Sequence, residues 1–221
     1  MTPAVSVIIP TRNEASRIAA TIEAARAAGA AEIIVSDGGS TDATLAIARA
    51  ANAIIIEGAT TRGEQLNRGA AAATHSHLIF LHADTLLPLH ACEAVIASHA
   101  HFGGFRVAFI EAARRLRFVA FMINLRTRLT RCPWGDQAQF TTREAFAQSG
   151  GYREIPLMED YEFAIRMKRS GKPALLPLAV RTSGRRFLEK GLVRTAATNW
   201  RIIIAWRLGV APERLADWYR R

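Results

Sequence analysis

Four short apolar runs, separated by segments of helical periodicity, constrain this chain more than any other feature. "VSVIIP" (5–10), "EIIVS" (32–36), "AIIIE" (53–57) and "HLIFLHAD" (77–84) are rich in β-branched residues, the pattern of buried strands. Between them stand "SRIAATIEAARAAG", "DATLAIARAAN" and "RGEQLNRGAAAAT", whose apolar residues recur at helical spacing. The first helix is expected to be capped by Ser16 and stopped by Gly29, and the second to start at Asp42. Strand and helix alternating at short intervals predict an α/β fold with a mostly parallel, doubly wound central sheet and helices on both faces. Ligands of such sheets sit beyond the carboxyl ends of the strands. Pro10 to Glu14, Asp37 to Asp42, Gly58 to Arg62 and His82 to Thr85 are therefore expected to converge.

After Pro88 the pattern loosens. "GGFRVAF" predicts a strand, Ala112 to Leu129 an arginine-rich helix with an apolar face, and "AQFTTREAF" a short strand running into a helix. "EDYEFAIRMKRSG" predicts a helix opening on two acids and closing at Gly171. Glu189 to Arg221 reads as amphipathic helix interrupted at Gly209 to Pro212. With 221 residues, half of them hydrophobic, the chain can bury a sizeable core. Cys92 and Cys132 lack metal-ligand spacing and are expected to be reduced thiols of no functional role. The N-terminus has neither the basic nor the apolar segment of a signal peptide, and the longest apolar run, "FVAFMINL", is too short to span a bilayer. A cytoplasmic protein is expected.

The strand ends carry the chemistry. "IVSDGGSTD" places Asp37 and Asp42 around a turn that Gly38 and Gly39 allow to be tight. The loop after the first strand, "PTRNEAS", has none of the glycines of a dinucleotide fingerprint, and a P-loop is absent. Acids at two strand ends, Asp37 and Asp84, suit phosphate held through Mg2+ or Mn2+, which carboxylates and substrate phosphates can share. Asp37 can alternatively accept hydrogen bonds from a base or ribose. A formal net charge of +10, almost all from arginine, is compatible with nucleic acid, an anionic membrane or a phosphate-bearing small molecule.

"VSVIIPTRNEA", "EIIVSDGGSTDAT", "RGEQLNRGA", "FLHADT" and "PLMEDYEFAIRMKRSG" follow one another as in family 2 inverting glycosyltransferases of GT-A fold, which the chain resembles over roughly its first 170 residues. "HADT", "WGDQAQF" and "IPLMEDYEF" are similar to the short radical-SAM/selenodomain-associated subgroup. The resemblance implies a GT-A domain over 1–185, divided into a nucleotide-binding half (1–88) and an acceptor half (89–185), with a helical extension over 186–221. It implies a nucleotide-sugar donor, a UDP-sugar first among them, with Pro10, Thr11 and Glu14 lining the nucleotide pocket, Asp37 on the base, and Arg62 on the nucleotide or its phosphates. Against the last stands an ordinary solvated arginine at a helix start.

"HAD" occupies the place of the family's DxD motif, so Asp84 is the implied Mg2+ or Mn2+ ligand. His82 departs from that motif; it could ligate metal, bond the sugar or pack at the strand end, and imidazole's poor match to Mg2+ favours a non-ligand role. "MED" matches the acceptor-side acidic motif. Inversion needs a carboxylate opposite the leaving group, which makes Asp160 the implied base and Glu159 the second candidate; without the other motifs, two acids in a first helical turn would only complement the helix dipole. Trp134, Asp136 and Gln137 fall where the family contacts acceptor and sugar, although Trp134 could equally anchor its loop. Arg185 and Arg186 are implied at the diphosphate, or belong to a basic surface loop.

Two other readings follow from the residues. A sugar-1-phosphate nucleotidylyltransferase would use a related sheet, but needs a Gly-rich basic loop after the first strand. A catalytically inactive basic module binding membrane or nucleic acid is favoured by the arginine-rich C-terminal helices, where Trp200, Trp206 and Ile202 to Ile204 suggest a peripheral contact at the inner membrane face or a homodimer. With a nucleotide-sugar site, no nucleic-acid partner is expected.

Overall fold

A computed structural model describes residues 3–220. Met1, Thr2 and Arg221, at the outer ends of the two expected segments, lie outside the described residues. β1 (Val5–Thr11), α1 (Ile18–Ala27), β2 (Glu32–Asp37), α2 (Thr44–Ala50), β3 (Ile54–Ile56), α3 (Arg62–Ala72) and β4 (His77–Phe80) reproduce the alternation read from the sequence. The second half adds β5 (Thr85–Leu86), α4 (Ala91–Ala97), β6 (Phe102–Phe109), α5 (Arg114–Thr130), a 3-10 turn (Gly135–Gln137), β7 (Phe140–Thr142) and α6 (Arg143–Ser149). α7 (Glu159–Arg169), β8 (Ala174–Thr182), α8 (Arg185–Lys190), α9 (Leu192–Arg207) and α10 (Pro212–Arg220) complete the chain.

The strands form one sheet in the order β3-β2-β1-β4-β7-β6-β8-β5. β1 runs parallel to β2 and β4, β2 to β3, and β6 to β8. β7 is antiparallel to β4 and β6, and β5 to β8. The expected mostly parallel α/β sheet with helices on both faces is what forms. Its inner strands are buried on both sides, which is why they read as continuous apolar runs. Val5, Val7 and Ile9 pack with Ile18, Ile22 and Val95 on one face, and Ile8 packs with Leu66, Phe163 and Met167 on the other. On that second face Phe80, Tyr152 and Phe163 stack edge and face, with the Tyr152 and Phe163 centroids 4.2 Å apart. Such ring pairs contribute about 0.5–1.5 kcal/mol each beyond burial, and here they fix the start of α7 against the end of β4.

Two expectations needed correction, and the strand β8 had no expectation at all. Ser16 does not cap α1: Arg17 holds the cap position without a side-chain bond, while Gly29 follows the helix with φ 92° as expected. β8 went unread because Pro177 interrupts it; the structure absorbs Pro177 where Phe105 pairs Leu176 and Arg106 pairs Ala179, a bulge that asks no ladder donor of proline. The C-terminal helical stretch begins earlier than Glu189, at Arg185, and breaks around Gly209 before resuming at Pro212.

Candidate active site

The loops after β1 and β2 are stitched together. Asn13, with φ 56°, donates from its backbone N–H to Ser40 Oγ at 2.9 Å and accepts from Thr41 N–H at 2.8 Å. Asp42 accepts from the N–H of Thr44 at 2.9 Å and of Ala15 at 3.1 Å, which ties the two loops together; it does not open α2 as expected, because the helix starts at Thr44 with Ala43 in the cap position. Asp37 is only 2% exposed and accepts four hydrogen bonds: from Thr11 Oγ1 (3.0 Å), Ser40 Oγ (2.5 Å), Gly39 N–H (2.9 Å) and Ser40 N–H (2.7 Å). Its carboxylate is committed to the turn. Gln65, from α3, braces the same place by donating to the carbonyls of Thr11 and Ser36 at 2.7 and 2.8 Å.

These loops wall a cleft of about 210 Å3 lined by Pro10, Thr11, Glu14, Arg62, His82 and Asp84, among others. Asp84 has no ion-pair partner among the described residues and receives only a long 3.4 Å contact from Thr85 Oγ1. Thr85 is in turn bonded to Thr182 Oγ1 at 2.8 Å, which anchors the Asp84 turn to β8. Arg62 lines this cleft, its Nε 3.2 Å from Oε1 of the buried Glu159. Burial, then the adjacent Asp160, push the Glu159 carboxyl up to about 7 despite Arg62. Burial and the Arg62 charge hold the His82 imidazole well below its ordinary value, so it is neutral at neutral pH.

Arg62 and His82 also line a pit of about 10 Å3, together with Pro10, Gly135 and Asp160. Asp84 lines the cleft and Asp160 the pit, and Pro10, Arg62 and His82 line both. Asp160 Oδ2 accepts from Gly135 N–H at 2.7 Å and Oδ1 from Tyr161 N–H at 2.7 Å, which fixes the carboxylate's orientation. Glycine is required at 135 because a Cβ there would stand 2.6 Å from His82 Nε2 and 3.0 Å from Asp160 Oδ2. The rest of the loop is held by Gln137: it donates to Phe105 O (3.0 Å) and accepts from Thr127 Oγ1 (2.7 Å), Arg126 (3.1 Å) and Trp134 N–H (3.2 Å). With its amide so engaged, Gln137 supports the loop from beneath.

Trp134 and Asp136 stand differently. Arg126 lies flat on the Trp134 ring, 3.3 Å from its centroid, and Tyr161 meets that ring edge-on. Asp136 is raised to about 6 by burial, opposed by Arg126 and reinforced by Asp160 and Asp84, and its buried Oδ1 has no hydrogen-bond partner among the described residues. Neither Arg185 nor Arg186 lines these cavities: Arg185 stands 3.9 Å from Glu189, and Arg186 stacks 3.8 Å from the Tyr219 ring centroid. Sequence reading missed Gln65 and Arg126. Gln65 lies inside "RGEQLNRGA", where the motif itself was the signal; nothing marks Arg126 out among the arginines of its helix. Cys92 and Cys132 are free and buried, their thiols pushed up to about 12 and about 11.

Comparison with known proteins agrees with this fold. The fold is shared with a mannosyltransferase, PcManGT from Pyrobaculum calidifontis, solved with GDP-Man and Mn2+ (TM-score 0.66, 21% identity, 94% of this chain and 62% of that one). It is shared with S. aureus TarS in complex with UDP-GlcNAc (TM-score 0.63, 15% identity, 82% and 59%). A third is glucosyl-3-phosphoglycerate synthase from Mycobacterium tuberculosis, with Mn2+, UDP and glucosyl-3-phosphoglycerate (TM-score 0.60, 21% identity, 95% and 80%). The chain spans about three fifths of the length of the first two. No curated protein sequence matches it. The model of the family described as "Glycosyl transferase family 2" matches residues 6–132, more than half of the chain, and with the GT-A-like sheet and its acid-flanked cleft the chain belongs to glycosyl transferase family 2.

Proposed function

We propose that the chain transfers a sugar, with inversion, from a nucleotide-diphosphate-sugar to an acceptor hydroxyl, or to a thiol or selenol as the subgroup resemblance suggests. The observation that carries this reading is a pair of adjoining cavities, one lined by Asp84 and the other by Asp160, with Pro10, Arg62 and His82 in the walls of both. Relatives of this fold were solved with GDP-Man or UDP-GlcNAc, and the stitched loops after β1 and β2 offer a rigid shelf for such a nucleotide. Asp37 acts there as a positioning residue: it holds the turn against which base and ribose lie. Arg62, which lines the cleft, faces the phosphates.

The described residues contain no group of three or more metal-ligating side chains. A single unpaired carboxylate fits a hard cation whose other ligands are phosphates and water. Asp84 would hold Mg2+ or Mn2+ on those terms, and the bound cation would offset charge on the departing nucleotide. His82, neutral and packed against Gly135, serves as wall and hydrogen-bonding group. Asp160 takes the acceptor proton as the acceptor oxygen bonds to the anomeric carbon and the bond from that carbon to the nucleotide diphosphate breaks. Asp136, with its unpartnered buried oxygen, receives a hydroxyl of acceptor or sugar.

The test pairs two variants. Nucleotide-sugars are screened by thermal shift with and without Mn2+, and nucleotide release is then followed with a panel of acceptors. Asp160→Asn is expected to lower turnover by about 10²–10⁴-fold while nucleotide stabilisation persists; Asp84→Asn should remove the Mn2+-dependent part of that stabilisation. Loss of nucleotide binding in Asp160→Asn would move that residue to the donor side and end the assignment.

A further inference from the structure

We propose that the outward face of α5 docks the protein on an anionic lipid surface. The inner face of this helix is spent on the fold: Leu116, Ala120 and Thr127 are buried, and Asn124 bonds both backbone groups of Val107 at 2.9 Å. Its outer face carries Phe118, Phe121, Met122, Leu125 and Leu129, exposed by between 36% (Leu125) and 75% (Leu129). At the turn of an α-helix, about 100° per residue, these five fall within an arc of about 100°. Scattered exposed apolar residues are ordinary, but a continuous strip over three turns is not.

Charge identifies the occupant. α5 contains no Asp or Glu, whereas Arg115 flanks the strip on one side and Arg117 and Arg128 on the other. All three arginines are exposed and none has an acidic partner among the described residues. An apolar strip between basic margins is the arrangement of a helix lying in a membrane interface, with rings in the acyl boundary and guanidinium groups among anionic headgroups. A two-fold contact between copies of the chain would oppose these margins to themselves, like charge to like. Nucleic acid would engage the arginines but leave the strip in water. No helix of the described residues is long and apolar enough to cross a membrane, so α5 lies on the surface. α9 has the same character, with exposed Val193, Trp200 and Ile204 and no Asp or Glu from Leu192 to Arg207, although Ile202 and Ile203 turn inward.

The experiment is flotation of the full chain with phosphatidylcholine vesicles, with and without about one third phosphatidylglycerol, at low and high salt. Binding should require phosphatidylglycerol and weaken as salt rises. Phe118→Ser combined with Phe121→Ser should lower vesicle affinity by about 10- to 100-fold and leave the unfolding temperature and nucleotide binding intact. Arg115→Glu combined with Arg128→Glu should abolish the preference for anionic vesicles. Three results overturn the proposal: no vesicle binding by the unaltered chain, binding that survives the double Phe substitution, or a dimer in sedimentation that the Phe substitutions convert to monomer. Because nucleotide binding is read separately, failure here leaves the transferase assignment standing.

Discussion

Glu159 offers a test of the site's electrostatics that needs no substrate. It is 6% exposed, beside Asp160, and its carboxyl rises from an ordinary 4.5 to about 7 although Arg62 is within 3.2 Å. A raised carboxyl means that the folded state binds its proton more tightly than the unfolded state does. Stability from this group is therefore present at low pH and lost as pH climbs from the unfolded value towards the folded one. Between pH 5 and pH 8 the loss comes to about 2–3 kcal/mol. Glu159→Gln removes the titration and keeps the shape. Its stability relative to the unaltered chain should rise by that amount between the two pH values, whatever the constant offset from weakening the Arg62 contact. Urea unfolding at pH 5 and pH 8 reads this directly, and for a chain of this length the change corresponds to about 4–12 °C in Tm. A difference independent of pH, or one that moves in favour of the unaltered chain as pH rises from 5 to 8, would mean that Arg62 outweighs burial, and the reasoning would fail.

Two further substitutions probe the framework. Gly135→Ala brings a methyl to 2.6 Å from His82 Nε2, so stability should fall by about 1–3 kcal/mol and turnover by about 10- to 100-fold, with nucleotide affinity retained; full activity would show that the loop yields freely. Asp37→Asn leaves part of a four-donor cradle unmatched, which should cost about 2 kcal/mol or more in urea unfolding and weaken nucleotide binding; a nucleotide-binding defect at unchanged stability would put Asp37 on the ligand itself.

The first half of the fold was legible because β1, β2 and β4 are buried on both faces and their residues announce it, and because the edge strand β3 carries the same β-branched run. The second half was less so. β8 hides behind Pro177, and β5 is only two residues long, so neither has a local signature; both exist because a neighbouring strand offers a partner. The candidate site shows the same division. Asp84 and Asp160 stand in motifs at expected strand and helix ends. The saturation of Asp37 by Thr11 and Ser40, and of Gln137 by Thr127 and Arg126, depends on groups brought together by folding. The clearance at Gly135, set by His82 and Asp160, lies at the meeting of three distant segments.

The strand order has a consequence for how the protein is made. β4 pairs on one side with β1 and on the other with β7, which leaves the ribosome roughly sixty residues later. At ordinary translation speeds of about 5–20 residues per second, "HLIF" spends about 3–12 seconds as an open, apolar sheet edge in the nascent chain. Cutting the gene after residue 132, where the family match stops, would make that transient exposure permanent, because the strand that covers the edge is still to come.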